Sequence, residues 1–375
     1  MNTGVVSISG FNFRALIAYC RFADSAGFKI HLWAKDEADP VFLSKYASWV
    51  YGTRDLATLN IEDLLIFIEK IKCEFGYEKI LLLPISEYFN RFILENRQML
   101  EACNAVVPLV SDSLYTAISD KYSFGRICGN YGLLVPKEVD FLEENLPFVA
   151  KPRSYSNLHK PVAGKPYLLK TKNDLKKFIA DEFIDDFYFQ EFITGNSFYL
   201  LFFLSRDGRC YRLSQKNLVQ QSNGRSIIAA HTATLHQEKI CDDYIGMLKN
   251  IGFYGLIMIE LKKNNNLFYM IEANPRIWGP SQLVLNSGGE IIREFFMEYG
   301  ISELSKYFRV LPVEDQYYYW SGGVIEDTIN QSLSDFHGDG RTDFYNNYKK
   351  YLEADVFLQK DTVDLYMKQS KGMGF

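Results

Sequence analysis

The chain has 375 residues, 47% hydrophobic and 23% charged, with a formal net charge of −5. That length exceeds one small domain and the composition supports a substantial core, which excludes a disordered or fibrous chain. The acidic balance, without basic clusters interleaved with aromatics, excludes an electrostatic footprint for nucleic acid, and the longest apolar run, Phe198 to Leu204, is far too short to span a bilayer.

The opening residues from Met1 lack the charged and apolar regions of a signal peptide, so the expected compartment is the cytoplasm. The six cysteines are scattered with no CxxC pair and read as reduced core thiols. The aromatic share of 15% belongs in core and domain interfaces.

In chain order, Val5 to Ser9 reads as a strand, Arg14 to Ser25 as a helix and Phe28 to Trp33 as a second strand. A helix from Ile61 to Cys73 and a strand from Lys79 to Leu83 follow. This β-α-β order predicts a parallel sheet covered by helices. No G-x-G-x-x-G follows the first strand, which argues against a dinucleotide site there. Next come a helical stretch opened by Ser119-Asp120-Lys121, an apolar strand Pro147 to Lys151, and a polar segment, Arg153 to Lys165. Strands dominate from Phe189 to Gly289, and a helix starts near Glu290. The tail from Ile301 is expected to be helical and charged, with one apolar patch at Tyr317 to Gly323.

Tyr254 to Glu260 and Phe268 to Arg276 flank the polar stretch Lys262 to Asn266 and predict a β-hairpin. Side chains alternate along a strand, so Glu272 and Asn274 share a face. A turn centred on Asn265 places Glu260 opposite Met270, diagonal to Glu272. Two carboxylates and an amide carbonyl then converge as a hard-oxygen site suited to Mg²⁺, which shares its shell with water and phosphate. Pro275 ends the ladder, and Arg276 stands beside the site as a permanent cation. The competing interpretation is a surface hairpin with acidic ends.

The string Ile271-Glu272-Ala273-Asn274-Pro275-Arg276, preceded by a strand ending in Glu260, resembles the metal-binding signature of ATP-grasp enzymes. Further elements resembling that superfamily lie upstream in its order. They are Asp120-Lys121 with Gly132 to Pro136, then Pro147 to Arg153 ending in Lys151, then Phe187 to Gly195 as a hinge strand. Together they cover about Val107 to Gly289.

The resemblance implies an α/β fold, α+β in the nucleotide-binding part. Residues 1–112 would form a Rossmann-like domain, 113–188 and 189–300 the two halves of the grasp, and 301–375 a helical extension. ATP would be held by Lys121 and Lys151 at its phosphates and by Gln190, Glu191, Phe192 and Ile193 at its base. Glu260, Glu272 and Asn274 would hold one or two Mg²⁺, with Mn²⁺ as a substitute. Arg276 and Lys151 would serve catalysis. The activity implied is a carboxylate–amine ligase working through an acyl phosphate, with small-molecule carboxylate and amine as partners and a homodimer left open. A degenerate nucleotide-binding scaffold and a phosphoryl transferase or carboxylase are the alternatives.

Two departures stand out. The segment after Lys151 has one glycine, Gly164, so closure over phosphate would fall to hydroxyls such as Ser154 and Ser156 and to His159. Ser197, also implied as an ATP contact, stands where many relatives carry a ribose-binding acid, so the ribose contact either shifts to Glu191 or is weaker. Arg225 and His231 are the candidates for contact with the second substrate, with Arg225 also suited to a turn and His231 and His236 to structural roles.

Overall fold

The computed structural model describes residues 2–54, 59–154, 166–301, 304 and 315–371. The first sheet comprises β1 (Thr3–Ile8), β2 (Ile30–Ala34), β3 (Val50–Thr53), β4 (Lys79–Leu82) and β5 (Ala105–Val106). All pairings are parallel and the order is β3-β2-β1-β4-β5. Helices Phe13–Ser25 and Ile61–Phe75 cover it, so its inner strands are almost wholly buried and mostly apolar, with Ser7 and His31 as buried polar exceptions. The second helix starts where Asn60 Oδ1 accepts from Glu62 N and Asp63 N, and stops at Gly76 in the left-handed region.

A three-stranded antiparallel sheet follows, with β6 (Phe148–Pro152) between β7 (Tyr167–Leu169) and β8 (Phe187–Glu191). Its core is Phe148, Phe178 and Phe187. The large antiparallel sheet comprises β9 (Asn196–Leu204), β10 (Cys210–Gln220), β11 (Ile227–Ala233), β12 (Gly255–Asn264), β13 (Leu267–Asn274) and β14 (Tyr317–Tyr319), in the order β13-β12-β9-β10-β11-β14, with β15 (Asp335–Phe336) added on β10. β9 runs between β12 and β10, and Leu200 to Leu204 are buried, as its apolar sequence demands.

Among the described residues the tail carries helices Ser321–Ile329, Gly340–Asn346, Tyr348–Glu353 and Val363–Ser370, and it also supplies β14 and β15. The apolar patch explains the first of these: Tyr317 to Tyr319 extend the sheet edge beyond β11. Among the described residues no helix is long and apolar enough to cross a membrane.

Candidate active site

The β12–β13 hairpin turns on Asn265 and Asn266, both with positive φ, the geometry of a tight two-residue turn. Near the turn Leu261 pairs with Met270, yet Glu260 pairs with Glu272. Ile271 is therefore a bulge. The expected diagonal between the two carboxylates is corrected to direct opposition, because the two-residue turn and the extra residue each shift the register by one. The bulge also turns the carbonyl of Ile271 out of the ladder, where it accepts from Lys151 Nζ at 3.0 Å.

Glu260 and Glu272 repel each other unless cations intervene. Lys121, first residue of the helix Lys121–Asn130, donates its ammonium to Glu272 Oε2. Burial pushes the Glu272 carboxyl up, but Lys121, Asn274 and Arg276 outweigh it and hold the group down at about 2. Glu260 is pushed up by burial and by the charge of Glu272. Its Oε1 accepts from Ser197 Oγ at 3.0 Å, and Ser197 in turn accepts from Asn217 at 2.9 Å. Lys151 is 5% exposed, and burial, then the charge of Lys121, lowers its ammonium to about 8.

These groups line one end of a cleft of about 670 Å³. At its other end lie Glu191, Phe192, Ile193, Thr194 and Gly195, with Val149, Leu168 and Ile271 supplying apolar walls. The cleft thus combines charged groups with apolar walls, as a nucleotide site needs. Gly195 is required where it stands: φ is +112°, and a Cβ there would meet Lys263 O at 2.1 Å.

Several expected contacts fall elsewhere. Gln190 does not line the cleft; its amide is buried and donates to Pro136 O at 3.0 Å. Ser197 is fully buried against Glu260, so it positions that carboxylate instead of facing a ribose. His231 lies away from the site, its Nε2 3.1 Å from Asp343 Oδ2, and His236 is held by Ser214. Asn274 does not yet present a free carbonyl: Nδ2 donates to Glu272 Oε1 at 2.9 Å and Oδ1 accepts from Arg276 Nη2 at 3.1 Å. Glu191 lines the cleft, with Oε1 accepting from Lys137 N. Residues 155–165, including Ser156 and His159, lie outside the described residues.

The oxygen donors fit a magnesium ion. Lys121 and Arg276 occupy the acceptors that a cation would share, and no cluster of three His, Cys, Asp or Glu is present among the described residues. Two carboxylates and an amide leave the rest of an octahedral shell to water and phosphate, as Mg²⁺ prefers.

A second cavity, of about 880 Å³, meets the first at Glu272. Asn274 and Arg276 line it, with the loops after β1, β2 and β4 and the helix starts that follow β1 and β4 (Gly10 to Arg14, Lys35 to Pro40 and Ser86 to Tyr88). Those loops leave the carboxyl ends of a parallel sheet whose order reverses between β1 and β4, where such sheets bind ligands. Arg225 lines this cavity and is paired with the buried Asp327. The sequence reading missed Arg14 and Lys35, whose place beyond the strand ends was the available signal, and Trp320, which lies within the apolar patch. Arg14 stacks on Trp320 with its guanidinium carbon 3.8 Å from the ring centre.

No protein-family model matches the sequence, and no curated protein matches it. Solved structures do resemble it. The N5-carboxyaminoimidazole synthetase of Staphylococcus aureus superposes with a TM-score of 0.61 at 12% identity, over 94% of this chain and 97% of that one. The biotin carboxylase domain of Hydrogenobacter thermophilus 2-oxoglutarate carboxylase, a dimer with MgADP and bicarbonate, gives 0.57 at 12% identity, over 84% and 74%. The L-amino acid ligase of Bacillus licheniformis gives 0.56 at 16% identity, over 85% and 80%. The chain has the ATP-grasp fold. Lys121, Lys151, Glu260 and Glu272 all line the first cleft.

Proposed function

We propose that this protein is an ATP-dependent ligase that activates a small-molecule carboxylate as an acyl phosphate and joins it to an amine, releasing ADP and phosphate. The observation that supports it is Glu272, which among the described residues is the one that lines both cavities. A nucleotide in the first cavity with its phosphates at Lys121 and Lys151 would put its γ-phosphate at the mouth of the second. That second cavity suits an anion. Arg14, Lys35 and Arg276 line it, and among the described residues none of the three is ion-paired to a carboxylate. Asp36, Asp39, Glu87, Glu272 and Glu326 line the same cavity, so these cations offer donors to an anionic ligand within a wall of mixed charge.

In the proposed reaction a carboxylate oxygen attacks the γ-phosphorus and the bond to the β,γ-bridging oxygen breaks, giving ADP. The amine then attacks the acyl carbon, phosphate leaves with the C–O electron pair, and the amine proton passes to water. Mg²⁺, held by Glu260, Glu272 and Asn274 once Arg276 releases the amide oxygen, would supply neutralisation of phosphate charge. Lys151 and Lys121 would hold the phosphates, and Arg276 would stabilise the oxygen on which charge develops. Ser197, which donates to Glu260 Oε1, would keep that carboxylate aimed.

The test is ADP release against pools of carboxylic acids and amines. ADP formation that requires both, with an amide product, is the expected outcome. A phosphorylated or carboxylated product would assign a transferase or carboxylase instead, and nucleotide binding with no turnover would assign a degenerate nucleotide-binding scaffold.

A further inference from the structure

Between the phosphate end and the base end of the cleft, a bound nucleotide must place its ribose. Besides the hinge strand and the metal hairpin, the C-terminal segment lines the cleft, through Asp335, Phe336, His337 and Gly338. The two-residue strand β15 brings them in, with Val219 opposite Phe336 and Gln220 opposite Asp335.

The segment is tied down at several points. His337 N donates to Leu218 O at 3.0 Å, and Asp339 N donates to Asn196 Oδ1 at 3.1 Å, one residue beyond the hinge glycine. Gly338 has φ +50°, and a Cβ there would meet Asn196 Oδ1 at 2.0 Å. Lys262 lies two residues beyond Glu260 on β12 and so on the same face. Its ammonium donates to His337 Nδ1 at 2.8 Å, which leaves His337 Nε2–H to donate to Gln220 Oε1 at 2.9 Å.

Vicinal hydroxyls are donors and need an acceptor. The other acids lining the cleft are engaged. Glu260 and Glu272 form the metal pair, and Glu191 accepts from Lys137 N. Asp174 caps its own helix, accepting from Lys170 N, Thr171 N and Thr171 Oγ1. Asp335 is exposed in the cleft, and among the described residues its carboxylate accepts no hydrogen bond.

We propose that Asp335 receives the ribose hydroxyls of the bound nucleotide, and that Lys262, steadied by His337, completes a sugar-selective wall supplied by the C-terminal segment. The proposal rests on the nucleotide-binding assignment above. It gives the acceptor role to a residue distant in sequence from the hinge, in a chain where Ser197 is buried against Glu260.

Calorimetry on the full chain with the Mg²⁺ complexes of ATP, 2′-deoxy-ATP, 3′-deoxy-ATP and 2′,3′-dideoxy-ATP decides it. The parent should prefer ATP over at least one deoxy form by about tenfold or more, as a charged hydrogen bond implies. Asp335→Ala should weaken ATP to the level of the dideoxy form and leave the dideoxy form unchanged. Asp335→Asn should fall between, which separates sugar recognition from a folding defect. If the parent binds ATP yet Asp335→Ala keeps the parental preference, the proposal is overturned while the nucleotide assignment stands. A parent that binds none of the four overturns both.

Discussion

Replacing Glu272 with Gln probes the carboxylate pair. In the free protein Lys121 and Asn274 hold the Glu272 carboxyl at about 2, against an ordinary value of 4.5. At about 1.4 kcal/mol per tenfold, that corresponds to about 3 kcal/mol favouring the ionised form. The sign follows: because the folded value is depressed, this stability is present above about pH 4.5 and is lost as the pH falls towards 2. Against it stands the neighbour. Glu260 is pushed up by burial and by the charge of Glu272, and Glu272→Gln relieves the second of these. The two effects oppose, so Glu272→Gln should change the unfolding free energy near neutral pH by no more than about 1–2 kcal/mol. Its acid limb should be shallower than the parent's. Mg·ATP affinity should fall by a full charged contact, about 1.5–3 kcal/mol or roughly ten- to a hundredfold. Urea unfolding across pH and calorimetry with Mg·ATP measure the two. A variant that binds Mg·ATP as the parent does, or that loses most of its stability at neutral pH, would refute the reasoning.

Lys151, lowered to about 8 by burial and then by Lys121, should make Mg·ATP affinity decline as the pH rises above about 8, because the ammonium form binds phosphate. Calorimetry from pH 7 to 9.5 should show the decline in the parent and none in Lys151→Met, whose affinity is already low. Arg276→Ala, which removes a donor aimed at Asn274, should leave nucleotide affinity within a few-fold and cut turnover by about a hundredfold or more, read from steady-state ADP release.

Much of the framework was legible because it rests on local patterns. The β-α-β opening, the apolar β9 and the two-asparagine hairpin all declare themselves within a few residues. The cleft lysines and acids were legible as ordered motifs along about half the chain. Register was not, because the bulge at Ile271 leaves no mark in the alternation of Leu267 to Asn274. Nor were roles set by depth: Ser197 and Gln190 sit on strands near the cleft, but their side chains turn to Glu260 and Pro136. The second cavity gathers Phe11, Lys35, Tyr88, Arg276 and Trp320 from five separated segments, and β15 is two residues long. Such assemblies depend on long-range pairing that no local window contains.

The acyl-phosphate assignment is tested most directly by following the carboxylate oxygen. With the acid and amine identified by ADP release, the acid is labelled with ¹⁸O in both carboxyl oxygens, and the phosphate formed is analysed by mass spectrometry. A carboxylate that attacks the γ-phosphate leaves its oxygen on phosphorus when the amine displaces it, so each phosphate released should carry a single ¹⁸O. Unlabelled phosphate, formed at the same rate as the amide, would contradict the account.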